Sequence, residues 1–266
     1  MKFDYQETTE DIATRINIHD QYGSKDIDEW MLDLLDLKPD MSIFDVGCGS
    51  GKQLLAFYEA TDGQATIAGG DVNQELLEQA RQRIEQAGAD IKVTYLDFNK
   101  EFPLEDNTYD LVSCCFAIYY AEEIPFTIKE MHRILKPGGK LFTTGPMPEN
   151  KQFFYDVIRE ATGKEIPPMP GSSRYDSEIL GSIRDTFSQV DVNIFENPLV
   201  FPEAVPFIEY TRASLSEDRK LWGSFFQDKD DFNQIMTKIS QVAQDVKEDK
   251  GELVMKKVVG GFVATK

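Results

Sequence analysis

Apolar residues recur along this chain in two rhythms. Short runs at alternate or consecutive positions mark strands at Ile43, Phe44 and Val46, at Ala65 to Gly70, at Ile91, Val93 and Tyr95, at Leu111, Val112, Cys114 and Cys115, and at Lys140 to Thr144. Between them lie stripes at three-and-four spacing: Leu76, Leu77, Ala80 and Ile84, ending near Gly88, and then Ile128, Met131 and Leu135. Strands separated by helices predict a doubly wound α/β fold, a parallel sheet with helices on both faces. Two amphipathic helices precede it. One starts at a capping-box-like Thr8-Thr9-Glu10-Asp11 and runs through Ile12, Ile16 and His19; the other carries Ile27, Trp30, Met31, Leu34 and Leu35 and stops before Pro39.

Beyond residue 146 the rhythm changes. A helix over 150–162 leads to the proline-rich Ile166 to Gly171, which cannot continue a helix and is a hinge or lid candidate. Val190, Val192 and Ile194 alternate as a late strand, and Leu253 to Thr265 reads as another, broken by Gly260-Gly261. A helix over 229–248 carries Phe232, Ile235, Ile239, Val242 and Val246, a spacing that points to core packing. The whole chain, 1–266, reads as one domain: a helical cover over 1–38, a core over 39–146, and a lid with the last two strands over 147–266.

The densest chemistry lies at Phe44-Asp45-Val46-Gly47-Cys48-Gly49-Ser50-Gly51, where a strand passes through three alternate glycines into a helix. Glycines admit positive φ and let backbone approach a ligand, so something small and polar belongs there. A dinucleotide loop of the form G-x-G-x-x-G needs a small residue at its sixth position, and counting from Gly47 that position is Lys52. Hydride transfer is thereby disfavoured. The second strand ends at Asp71, where a carboxylate can accept from both hydroxyls of a ribose. A nucleoside without a pyrophosphate fits these two features.

With these motifs the chain resembles the class I S-adenosylmethionine-dependent methyltransferases over residues 40–145. The family's D/E-x-G-x-G-x-G loop stands at Asp45 to Gly51, its acidic strand end at Asp71, its Asp-plus-apolar pair at Asp97-Phe98, its fourth strand at Tyr109 to Ser113, and its R-x-L-K-P-G-G signature at Arg133 to Gly139. The resemblance implies a seven-stranded sheet with an antiparallel last strand, S-adenosylmethionine as cofactor, and in-line transfer of its methyl group to an oxygen, nitrogen, sulfur or carbon nucleophile. It further implies that Gly47, Cys48, Gly49 and Gly51 carry the methionine part and that Asp45 orders its amino group. Asp71 would then accept the ribose diol and Val72 lie on the adenine. Asp97 and the Phe98 backbone would take the adenine's polar edge, with the Ser113 and Cys114 carbonyls at the ammonium. Arg15 to Tyr22 is similar to the family's helical cover over the cofactor, which implies that Tyr22 contacts the cofactor.

Candidates for work on the acceptor are His19, whose ordinary pKa suits a base, and Tyr119 and Tyr120, which follow the fourth strand and can shape or titrate in the pocket. Arg174 and Arg212 can clamp an acidic acceptor. Ser113-Cys114-Cys115-Phe116 stands where base and amide N-methylases carry Asn/Asp-Pro-Pro-aromatic, and no Pro-Cys nucleophile of the C5-cytosine type is present. A small-molecule acceptor remains.

Composition adds exclusions. A formal charge of -19 speaks against nucleic acid as partner. Three cysteines, two of them adjacent, make no disulfide framework and suit a reducing, cytoplasmic setting, and the two histidines offer no metal-ligand spacing. No apolar run approaches the length of a membrane span, and Met1 to Glu7 lacks a signal-peptide core. Nothing in the pattern fixes an oligomeric state. Two other classes stay open: a binding or regulatory protein on the same scaffold without turnover, and, less favoured, a nicotinamide-dependent oxidoreductase.

Overall fold

In the computed structural model, residues 9–217, 222, 225, 226 and 228–266 are described. Helix α1 (Thr9–Tyr22) and helix α2 (Ile27–Asp33) come first, followed by β1 (Ser42–Val46), α3 (Lys52–Ala60), β2 (Thr66–Asp71), α4 (Gln74–Gln86), β3 (Ile91–Tyr95) and β4 (Tyr109–Cys115). A 3-10 turn (Ile118–Tyr120) leads to α5 (Ile124–Ile134), β5 (Leu135–Pro146), α6 (Gln152–Thr162), α7 (Pro170–Arg174), a π turn (Tyr175–Ile179), α8 (Leu180–Thr186) and β6 (Gln189–Glu196). The chain ends with β7 (Leu199–Phe201), α9 (Ala204–Glu217), α10 (Lys229–Lys250), β8 (Leu253–Met255) and β9 (Val258–Thr265). These elements gather into two compact units: a sheet unit from 27–148, 170–195 and 259–266, and a helical unit from residues up to 26, 149–169 and 196–258.

The sheet unit is built on seven strands in the order β3-β2-β1-β4-β5-β9-β6. Strands β1 to β5 pair in parallel, and β9 runs antiparallel to β5 with Thr143 opposite Phe262. This is the seven-stranded arrangement expected from the resemblance, with helices on both faces. Side chains alternate across each strand, so Ile43, Ile67, Leu111 and Phe142 join Leu54, Phe57 and Leu77 in one apolar layer. Their neighbours Phe44, Val112 and Leu141 join Ile128, Met131 and Phe262 in the other. Burial on both faces explains why these strands read as nearly continuous apolar runs. Strand order reverses between β1 and β4, and in open α/β sheets that reversal opens a crevice at the carboxyl ends of the strands.

The helical unit packs α1, α6, α9 and α10 with the antiparallel β7·β8 pair around Phe154, Phe201, Phe207, Tyr210, Ile239 and Met255. The predicted α10 stripe is a core stripe: Ile235 and Ile239 are buried, and Phe232, Val242 and Val246 pack against them. Asp228 caps that helix by accepting from the Asp230 and Asp231 N–H groups at 2.9 Å.

Two readings of the pattern need correction. Leu253 to Thr265 is two strands in different sheets, interrupted at Lys256-Lys257; Gly260 and Gly261 lie inside β9. The glycines are there for close approach, since a Cβ at Gly260 would come within 2.9 Å of the Tyr175 ring and one at Gly261 within 2.8 Å of Trp30. Pro170 ends the proline-rich loop and opens α7, because its fixed φ and missing N–H suit a first helical position. The first strand of the β7·β8 pair carries no expectation at all, being three residues long. Thr8, with Met1 to Glu7, and the side chains of Ile12 and Ile16 lie outside the described residues.

Candidate active site

The loop after β1 turns through Gly47 at φ 73, Gly49 at φ 52 and Gly51 at φ 80. Its N–H groups are largely engaged by protein acceptors: Gly47 and Cys48 both donate to the carbonyl of Gly70 in β2, at 2.8 and 3.1 Å, and Gly51 donates to Cys48 at 3.0 Å. The glycines therefore act through shape more than through free donors. A Cβ on Gly47 would lie 2.7 Å from the Ala117 Cβ and 3.7 Å from the Phe98 ring, so that side of the loop is closed. A Cβ on Gly49 would meet nothing within 4 Å, so the other side is open.

Asp71, at the end of β2, latches this loop. One carboxylate oxygen accepts from the Gly49 N–H at 2.9 Å and the other from Asn73 N–H at 2.8 Å, which leaves lone pairs on both. Asn73, with its side chain accepting from the Glu75 and Leu76 N–H groups, is the cap of α4. Asp71 is therefore not that helix's cap. Val72 beside it is 53% exposed, an apolar surface adjacent to a carboxylate.

Asp45 sits inside the sheet opposite Ser113, whose hydroxyl donates to it at 2.6 Å. Burial pushes its carboxyl up to about 7; the Ser113 hydrogen bond opposes this and the Asp71 charge adds to it. Asp97 lies at the mouth of the loop after β3, where burial favours protonation but the Lys100 ammonium, 2.9 Å away, and the Asn99 N–H outweigh it and hold the carboxyl low. The Phe98 carbonyl accepts from Thr127, and Asn99 accepts from the Glu122 N–H, so the Asp97-Phe98 segment is tied to the start of α5. Burial, reinforced by the Asp45 charge, pushes the Cys48 and Cys114 thiols up, which makes them poor nucleophiles.

Two further features carried no sequence signal. Phe116, just past β4, has φ 55 and is 37% exposed, a conformation that L side chains adopt at a cost. Gln53, in the first turn of α3, has a buried side-chain nitrogen with no hydrogen-bond partner among the described residues. Tyr119 and Tyr120 follow on the 3-10 turn with ring centroids 4.7 Å apart, Tyr119 being buried. Arg174 donates to the carbonyls of Tyr119 and Ala121 at 3.0 and 2.9 Å and pairs with Glu178, so it fastens α7 to this turn.

All of these belong to the sheet unit. His19 and Tyr22 belong to the helical unit, where the His19 ring meets Tyr210 edge-on at 5.9 Å and Tyr22 packs on Phe201 at 5.1 Å. Burial, with Lys257, Lys151 and Arg15 nearby, pushes His19 down to about 2, so its imidazole is neutral at physiological pH. Arg212 lies over the Phe232 ring at 5.6 Å. Among the described residues no group of three or more His, Cys, Asp or Glu side chains could hold a metal ion, and no helix is long and apolar enough to cross a membrane.

A family model described as a methyltransferase domain matches residues 43–139, the stretch from β1 to the turn within β5. A demethylmenaquinone methyltransferase of Bacillus cereus is 34% identical over 109 residues, 41% of this chain and 46% of that protein, so the match spans less than half of the relative. Among solved structures, the YcgJ protein of Bacillus subtilis superposes with a TM-score of 0.60 at 16% identity, covering 90% of this chain and 97% of that one. A SAM-dependent methyltransferase of Aquifex aeolicus gives 0.50 at 22% identity, covering 67% and 89%. At these identities the two structures attest the fold.

Proposed function

We propose that this chain, which matches a methyltransferase domain over residues 43–139, is a class I S-adenosylmethionine-dependent methyltransferase that transfers a methyl group to a small-molecule acceptor in a reducing, cytoplasmic compartment. The observation that carries the reading is the loop at 47–51, closed against Ala117 on one side, open at Gly49 on the other, and latched by a carboxylate with lone pairs to spare. The residues present fit the cofactor: Gln53 has an orphaned buried donor, and Val72 offers an exposed apolar face. Asp71 would accept the ribose hydroxyls, Val72 would lie on the adenine with Asp97 and the Phe98 backbone at its polar edge, and Asp45 with Ser113 would face the ammonium. When bound, the cofactor supplies an electrophilic methyl group.

Holding the acceptor close and in line, with water excluded, is then the chain's main contribution. Tyr119 and Tyr120 wall the end of β4. His19, in the helical unit, is neutral near physiological pH and is not a base in this reading. Such a site suits an acceptor already carrying an unprotonated lone pair.

Calorimetry with S-adenosylhomocysteine tests the site. The native chain should bind it, and Asp71→Ala should lose about 1 to 3 kcal/mol of affinity, because the ribose loses its acceptor. Equal affinity in the variant removes Asp71 from the site, and no heat in either removes the reading. Incubation with methyl-labelled cofactor and fractionated metabolites then identifies the acceptor. Binding without any labelled product would favour a regulatory role on the same scaffold.

A further inference from the structure

Phe116 is the side chain of the sheet unit that folding explains least. It directly follows β4, at the carboxyl end of the sheet where the strand order reverses. Among the described residues with positive φ outside glycine, Asp62 and Asn107 carry side chains that tolerate it, whereas Phe116, at φ 55, is the one aromatic. Such a setting persists only where the neighbours enforce it. Here they do: the Phe116 N–H donates to the Thr144 carbonyl at 2.9 Å, the Tyr120 N–H to the Ala117 carbonyl at 3.0 Å, and Arg174 holds the carbonyls of Tyr119 and Ala121.

Packing does not account for the ring. It is 37% exposed and joins neither apolar layer of the sheet unit. Among the described residues it has no stacked, edge-on or cation partner. Glycine takes φ 55 freely and would leave the turn after β4 unstrained, so the side chain itself is what the strained backbone serves to present. Its place says to what. A Cβ on Gly47 would lie 2.7 Å from the Ala117 Cβ, so the turn through 116 and 117 lies against the glycine loop. In the proposed function that loop carries the methionine end of the cofactor, next to the methyl group, while Val72 serves the nucleoside end.

We propose that Phe116 is a specificity-determining residue, whose ring receives an acceptor bearing its nucleophilic atom on a flat aromatic or conjugated ring. This rests on the methyl-transfer reading and adds the class of acceptor to it. An aliphatic acceptor needs only apolar area, which a flexible leucine or methionine supplies. A rigid ring adds orientation for a partner that has a face of its own, because aromatic pairs favour offset-stacked or edge-on geometry. An ammonium also sits well on a ring face, but it has no lone pair to give. In the transfer, an electron pair of the acceptor makes the new bond to carbon, the electrons of the broken carbon–sulfur bond stay on sulfur, and any proton the acceptor sheds passes to water.

The test uses the full chain, methyl-labelled cofactor and fractionated metabolites, with calorimetry of S-adenosylhomocysteine alongside. The labelled product should absorb ultraviolet light as an aromatic or conjugated compound. With its acceptor, Phe116→Ala should lower kcat/KM about tenfold, chiefly through KM. Phe116→Tyr, which keeps a ring, should stay near native, and both variants should bind S-adenosylhomocysteine as the native chain does. A saturated aliphatic product overturns the proposal and leaves methyl transfer standing, as does native kcat/KM in Phe116→Ala or a tenfold loss of its affinity for S-adenosylhomocysteine. A native chain that labels nothing, or that does not bind S-adenosylhomocysteine, overturns the methyl-transfer reading and this proposal with it. Should Phe116→Ala fail to fold, Phe116→Gly takes its place and decides in the same way.

Discussion

At the scale of single residues, Asp45 is the side chain most at odds with its surroundings. Its carboxyl rises from 3.8 to about 7 chiefly because the sheet shields it from water. Between those values the folded chain keeps a proton that the unfolded chain has released, so the stability linked to this group is full below 3.8 and lost as pH rises through 7. Asparagine still accepts from Ser113 and carries no charge. Asp45→Asn should therefore gain up to about 4 kcal/mol over the native chain in urea melts at pH 8, and the gain should vanish near pH 4. An advantage independent of pH would mean that Asp45 is not buried as a charge.

At the scale of elements, Arg133 explains why the R-x-L-K-P-G-G stretch begins as it does. Its guanidinium pairs with Glu130 and Asp106, both at 2.7 Å, and donates to the carbonyls of Leu104 and Phe102, fastening the 102–106 loop to α5. Arg133→Leu strands a nearly buried Glu130 and should cost about 3 kcal/mol, read as a lower urea midpoint at unchanged slope; Glu130→Gln in the same chain should recover part of it. Such elements were legible because their information is local. Strands buried on both faces announce themselves as apolar runs, and the Gly47–Gly51 loop and Asp71 are contiguous with the strands that end there. The paired three-residue strands β7 and β8 are too short for a period to show, and Gly260-Gly261 imitated a break because the rings they admit, Tyr175 and Trp30, are remote in sequence. Gln53 was silent for the same reason: it is an ordinary polar residue until folding supplies its neighbours.

At the scale of the whole molecule, a formal charge of -19 sets a background repulsion that compaction must overcome. Added salt screens it, so the melting temperature should rise between about 20 and 300 mM sodium chloride; a flat or falling response would show that local ion pairs outweigh the net charge. The backbone also leaves one unit for the other after residues 26, 148, 169, 195 and 258. Each unit is made of three separate stretches of chain, so a single proteolytic cut releases neither.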